Sequence, residues 1–198
     1  MELILIRHAK AFARDASVWP DDSRRPLTED GRDQFARFAK RLRRVAPKVD
    51  LVESSGFVRA WQTALLLEEH ARWPKAARLE RLEMHADTES PDPGIRRQAE
   101  RAQEESLVRT LVALAAAPVV AWVGHEPMLS RLASLLLTGA ADGLAIDFRK
   151  GAALALQIDV DTDAAASRTA SNGASGGAVL HAQIKWFLTP GVVRRLAK

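Results

Sequence analysis

Met1-Glu2-Leu3-Ile4-Leu5-Ile6-Arg7-His8-Ala9-Lys10 opens the chain, and its reading decides the fold. The apolar run at residues 3–6 passes without alternation into a cation and an imidazole. A short continuous apolar run of this kind reads as a strand buried on both faces, as in parallel sheets. Residues at the carboxyl end of such a strand lie at the sheet edge where open α/β folds bind ligands. Arg7 and His8 are therefore the first candidates for a site.

Two other fragments repeat the design. Leu51-Val52 leads through Ser54-Ser55-Gly56 to Arg59, and Val119-Val120-Ala121-Trp122-Val123 leads into Gly124-His125. If the three strands are parallel neighbours, two arginines and two histidines meet at one edge. That set suits a tetrahedral dianion, because the arginine fork presents paired donors to phosphate oxygens. A helix beginning after Ser55 adds backbone N–H groups and its dipole. Histidine attacks phosphorus when one ring nitrogen is unprotonated and the other N–H is held. The arginines then neutralise the equatorial oxygens in the transition state. With two arginines and a protonated histidine supplying the charge, neither a metal nor another cofactor is expected. Taken singly, a histidine at a strand end is more often structural or exposed, and Arg59 is an ordinary residue for a helix start. The recurrence carries the functional reading. A metal site would need more ligands than His8 and His125; His70, His85 and His181 are scattered, and no His-Glu-x-x-His spacing occurs.

The remaining sequence bounds the setting. The 198 residues suit one domain, 1–198, with a substantial core. A hydrophobic content of 47% beside 27% charged residues fits a soluble globular protein. The net charge of +4 suits phosphorylated or acidic partners and is too small to imply nucleic acid. The basic runs Arg41-Leu42-Arg43-Arg44 and Arg194-Arg195 read as solvated helix faces. The absence of cysteine excludes disulfides, thiol nucleophiles and thiolate metal sites. No signal peptide or membrane-spanning stretch is evident, so a cytoplasmic monomer is expected.

Strands are expected at residues 2–6, 50–53, 77–82, 118–123, 152–158 and 179–187. Helices are expected at 28–47, 57–73, 95–116, 128–137 and 191–197. Thr28 is the expected N-cap of the first, with Leu27, Phe35, Phe38, Ala39 and Leu42 as its apolar stripe. Ala60, Ala64, Leu65 and Leu67 supply part of the second helix's buried side. Gly139 reads as a C-cap. Residues 11–27 and 84–94 read as irregular, and 159–177 as a long mobile hairpin loop. Alternating strands and helices argue for a mainly parallel sheet covered on both faces, mixed by a final hairpin.

The ordered set of motifs resembles the histidine phosphatase superfamily, whose fold is phosphoglycerate mutase-like, and within it the small SixA-type phosphohistidine phosphatases. Leu5-Ile6-Arg7-His8-Ala9-Lys10 resembles the Arg-His-Gly opening, and Arg25-Pro26-Leu27-Thr28-Glu29-Asp30-Gly31 the Arg-Pro-Leu-Thr-x-x-Gly segment. Ser55-Gly56-Phe57-Val58-Arg59-Ala60-Trp61-Gln62-Thr63-Ala64 resembles Ser-Pro-x-x-Arg-Ala-x-Gln-Thr-Ala, and Val123-Gly124-His125-Glu126-Pro127 the second histidine motif. The resemblance implies a three-layer α/β/α sandwich and a metal-independent phosphatase. His8 would be the phosphorylated nucleophile, with Arg7, Arg59 and His125 completing the phosphate pocket. Arg25 would reach the phosphate, reach an acidic substrate group, or anchor its loop. The implied substrate is a phosphorylated protein such as a histidine phosphotransfer domain; the alternatives are a small phosphorylated molecule or, without catalysis, a phosphate-binding module. Ala9 and Gly56 depart from the pattern, where glycine and proline are usual. Glu83 is the candidate general acid, with a surface or capping carboxylate as the competing reading. A phosphoramidate whose ring is protonated expels neutral imidazole and has little need of such an acid.

Overall fold

The computed structural model describes residues 1–46, 48–84, 86–161 and 179–196. Pro47, His85 and most of the expected loop at 159–177 lie outside the described residues, as does the end of the last expected helix.

Among the described residues, six strands form one sheet: β1 (Glu2–Arg7), β2 (Leu51–Ser54), β3 (Ala77–Arg78), β4 (Val119–Gly124), β5 (Ala153–Asp161) and β6 (Val179–Leu188). Their order is β3-β2-β4-β1-β5-β6. β1, β2, β3 and β4 run parallel, while β5 is antiparallel to β1 and β6 to β5. The helices are α1 (Glu29–Val45), α2 (Val58–Leu66), α3 (Pro93–Ala113), α4 (Met128–Thr138) and α5 (Pro190–Leu196). Among the described residues, no helix is long and apolar enough to cross a membrane.

β1 shows why the sheet is covered twice. Its side chains alternate, so Ile4 and Ile6 join a core with Phe35, Phe38 and Leu42 of α1 and Ala60 and Ala64 of α2. Leu3 and Leu5 join another with Leu107 and Leu111 of α3 and Leu129 and Leu132 of α4. All four strand residues are fully buried. Each contributes about 1.5–3 kcal/mol of burial free energy. The expected three-layer arrangement follows from that double burial.

Local signals set most boundaries. Thr28 Oγ1 accepts from Gly31 N at 3.0 Å and starts α1. Asp92 caps α3, with Pro93 at its first position, so this helix begins two residues before the apolar pattern does. Gly139 closes α4 in the left-handed conformation at φ 79°.

Three expectations need correction. The strand expected over 77–82 is only Ala77–Arg78, and a 3₁₀ turn follows at Glu80–Leu82. Leu79 and Leu82 are both buried. Their spacing of three puts them on opposite faces of a strand but on one side of a 3₁₀ turn, so burying both turns the chain. The helix expected over 57–73 is shorter: α2 ends at Leu66, a π-helical turn spans Leu67–Ala71, and Arg72 leaves it at φ 62°. Leu65 is exposed, because the buried stripe runs through Ala60, Ala64, Leu67 and Ala71. The irregular stretch expected at 84–94 contains a 3₁₀ turn, Ala86–Glu89.

Candidate active site

The register aligns the ends of three strands. Arg7 sits opposite Gly124 across the β1–β4 ladder, and Ser54 opposite Val123 across β2–β4. His8, His125 and the turn leading to Arg59 therefore leave the sheet at one edge. Backbone bonds hold them there: His8 N donates to Gly124 O at 3.1 Å and Ser55 N to Val123 O at 3.0 Å. Gly151 N, just before β5, donates to the carbonyls of Arg7 and His8.

The two imidazoles face each other with ring centroids 5.2 Å apart. His8 Nδ1 lies 2.7 Å from the carbonyl oxygen of Ala9. A carbonyl can only accept, so Nδ1 carries the hydrogen and Nε2 keeps its lone pair. His125 Nε2 lies 2.8 Å from Ser55 Oγ, and the Phe57 ring packs 5.0 Å from the imidazole. Burial, with smaller contributions from Arg59, Arg7 and Lys150, holds His8 down to about 3 against the opposing pull of the Ala9 carbonyl. Burial, then His8 and the arginines, also holds His125 well below the usual value. Both rings are neutral near pH 7 in the free site. The protonated histidine expected from sequence is therefore not a property of the unliganded pocket.

The arginines are held from behind. Arg7 Nη1 donates to Phe148 O at 2.7 Å. Arg59 is 2% exposed and stacks over Phe57, 5.0 Å from its centroid. Arg7 Nε, Arg59 Nε and His125 Nδ1 are buried without a hydrogen-bond partner among the described residues. Leaving such groups unpaired costs about 1–3 kcal/mol each. The two guanidinium N–H groups are donors in any case, and they suit an oxyanion at this edge.

Asp22 was missed at the sequence level. Its Oδ2 lies 3.0 Å from Arg59 Nη2, and its carbonyl accepts from Arg59 Nη1 at 2.7 Å. Arg25 Nε and Nη2 bind the same carboxylate at 2.8 and 3.3 Å, while Arg25 Nη1 donates to Phe12 O. Burial opposes ionisation of Asp22, but Arg25, Arg59 and Arg14 outweigh it and lower its pKa. One carboxylate thus bridges the two guanidinium groups. In this arrangement Arg25 ties down the loop and its acid. The readable signal was the i,i+3 acid–base spacing of Asp22 and Arg25. Lys150, also missed, is a cation among Arg7, Arg25, Lys10 and Arg59; burial and these neighbours lower its pKa.

The rest of the helical motif is bracing. Thr63 Oγ1 accepts from Ala9 N at 3.0 Å and Gln62 Oε1 from Leu27 N at 2.9 Å, so α2 fixes the His8 and Arg25 segments together. Ala9 is buried and has no positive φ, so its Cβ is accommodated where glycine is usual. Gly56 N donates to Glu83 Oε1 at 2.9 Å, a bond proline lacks. A Cβ at Gly56 would lie 2.6 Å from Arg78 Nε and 2.7 Å from Glu83 Oε1. Glu83 also binds Arg78 through both carboxylate oxygens, at 2.7 and 3.1 Å, which makes it an anchor of the Arg59 turn in this arrangement. Glu126, just before the Pro127 N-cap of α4, accepts from Ser130 N at 3.0 Å through Oε1, and burial raises its pKa. Among the described residues, no group of three or more His, Cys, Asp or Glu is placed to hold a metal ion.

No curated protein matches the chain. Among solved structures, the protein histidine phosphatase SixA complexed with tungstate aligns at 21% identity with a TM-score of 0.66, covering 98% of this chain and 99% of that one. A SixA-type chain from Agrobacterium tumefaciens aligns at 17% identity and TM-score 0.64, over 96% and 97%. A mycobacterial glucosyl-3-phosphoglycerate phosphatase in complex with VO3 aligns at 21% identity and TM-score 0.60, over 93% and 97%. At these identities the likenesses establish the fold. Residues 3–86, which carry Arg7, His8, Asp22, Arg25 and Arg59, match the model of the histidine phosphatase superfamily (branch 1).

Proposed function

We propose that the protein is a phosphatase that works through a phospho-His8 intermediate, with phosphohistidine on a protein as its substrate. The observation that carries this reading is the Nδ1–H of His8 bound to the Ala9 carbonyl, which leaves Nε2 nucleophilic. Nε2 attacks phosphorus, the P–N bond to His8 forms, and the bond to the leaving group breaks. Arg7 and Arg59 take the phosphoryl oxygens. Burial is the main reason His125 is neutral, and an incoming dianion offsets the added repulsion from the arginines, which favours a proton on His125 as the phosphate settles. Water then attacks phospho-His8, releasing orthophosphate and free imidazole.

The substrate preference rests on the leaving group. Glu83, the acid candidate from sequence, is occupied by Arg78 and Gly56. A site without a committed acid favours leaving groups that need none. Protonated phosphohistidine and aryl phosphates meet that condition, and alkyl phosphates do not. The likeness to SixA structures supports the protein substrate, while the likeness to the mycobacterial sugar-phosphoglycerate phosphatase keeps a small phosphorylated molecule as the second reading.

The test is trapping followed by a substrate panel. Acid-quenched wild type is expected to carry an acid-labile phosphoryl group that His8→Ala lacks. A phosphohistidine peptide and p-nitrophenyl phosphate are expected to turn over, and a sugar phosphate poorly. If wild type turns over no phosphoramidate or aryl phosphate, the reading is wrong. If Glu83→Gln spares p-nitrophenyl phosphate but abolishes turnover of a sugar phosphate, Glu83 is the acid and the leaving-group argument fails.

A further inference from the structure

Two basic runs that sequence reading assigned to separate solvated faces meet in the fold. A groove of about 630 Å³ lies between α1 and α5, lined by Arg37, Lys40, Arg41 and Arg44 on one side and Arg194 on the other. All five are exposed, and none makes a hydrogen bond or ion pair among the described residues. Phe38, Pro190 and Val193 give the groove an apolar lining. Its acid, Asp30, is already satisfied by Lys10 at 3.0 Å and Gln34 at 2.6 Å.

The surface of α3 differs in mixing acids with its cations, although Arg97 and Arg109 there are also exposed and unpaired among the described residues. On α3 the cation of Arg101 meets Glu105 one turn on, and Glu100 and Glu104 face Arg131 of α4. Residues 34–45 of α1 contain no acid at all. The helix dipole favours cations in the last turns of α1 and α5. It gives no reason for Arg37, Lys40 and Arg41 to share a groove with Arg194 of a helix 150 residues away in sequence.

The groove is also tied to the pocket. Its near end is Asp30, bound to Lys10, two residues past His8. Pro190 at that end lies against Gly151, whose N–H holds the His8 carbonyl. From Asp30 to Arg44 the α1 wall extends about 20 Å at 1.5 Å per residue.

We propose that this groove docks an acidic segment of the phosphorylated protein substrate, flanking the phosphohistidine that enters the pocket. The proposal rests on the phosphohistidine reading above. Charge complementarity supplies attraction and steering, and the apolar lining suits an amphipathic segment better than a bare polyanion. Exposed charges are screened over about 10 Å at 0.1 M salt, so the docking contribution fades as salt rises.

The test compares two phosphohistidine peptides that are identical except that one carries glutamates, and the other glutamines, over the stretch that spans the groove. Wild type is expected to prefer the acidic peptide about tenfold in kcat/KM at low salt, a difference of about 1.4 kcal/mol. The triple variant Arg41→Glu, Arg44→Glu, Arg194→Glu is expected to lose that preference through KM while hydrolysing p-nitrophenyl phosphate as wild type does. The unphosphorylated acidic peptide, followed by fluorescence anisotropy, reads the groove even if no phosphohistidine is turned over. Equal treatment of the two peptides by wild type, or unchanged binding by the triple variant, overturns the proposal. So does a variant whose defect appears only with anionic vesicles or RNA.

Discussion

The pocket and the α1–α5 groove are both built from cations, and they differ in almost every physical respect. In the pocket, Arg59 is buried, braced by Asp22 and stacked on Phe57. In the groove, Arg41 and Arg44 stand on a helix surface with no acceptor among the described residues. A buried, braced guanidinium has lost its freedom before a ligand arrives and acts in a low dielectric, where its field is strong. An exposed one is mobile and screened, and contributes a few tenths of a kcal/mol to about 1 kcal/mol per pair. On the proposed function the contrast separates chemistry from recognition, with rigid cations suited to stabilising a transition state and mobile ones to gathering a partner.

The largest expected effect lies at the centre of the pocket. His8→Ala should lower turnover of p-nitrophenyl phosphate by a factor on the order of 10³ or more, with no phosphoenzyme on acid quench. Retained turnover would place the nucleophile elsewhere. Arg59→Ala and Arg41→Ala remove the same group from the two regions. The first should cost about 10²–10³ in kcat for p-nitrophenyl phosphate, and the second should leave it within experimental error. Comparable losses would erase the distinction between the two regions.

Acid should expose the burial of the pocket. His8 takes a proton at its ordinary value of 6.5 in the unfolded chain but only near 3 when folded. Between those values the unfolded state binds more protons, so stability falls as pH drops below 6.5. The His8 contribution lost by pH 4.5 is about 2–3 kcal/mol. Urea midpoints at pH 7 and 4.5 should therefore diverge more for wild type than for His8→Asn. Identical pH dependence would show that His8 titrates normally.

Asp22→Asn is the subtlest probe. Asp22 both positions Arg59 and competes with an incoming anion for it. The variant should bind orthophosphate several-fold more tightly, read as a lower inhibition constant, while kcat falls several-fold. Weaker orthophosphate inhibition would mean that Asp22 only builds the site.

Much of this was legible in the residues. The run at 3–6 announced β1, and its lack of alternation announced helices on both faces. The recurrence of strand, small turn and cation marked the edge where His8, Arg59 and His125 meet. What periodicity obscured was local: Leu79 and Leu82 turn the chain where a strand was expected, and the π-helical turn after Leu66 ends α2 early. Asp22 escaped notice because an acid in a polar loop looks like solvent-facing punctuation until its partners are known. What Gly56 does in place of proline was not legible, because its N–H bond to Glu83 joins residues 27 apart in the chain.

The sequence by itself determined the sheet, its covering layers and the candidates for the pocket. Those depend on local apolar patterning and on residue types whose chemistry is intrinsic. Only the tertiary structure decided the rest: the neutral state of both histidines, the bridging of Arg25 and Arg59 by Asp22, and the merging of two distant basic runs into one groove. Each depends on burial or on distances between segments remote in the chain, quantities that exist only once the chain has packed.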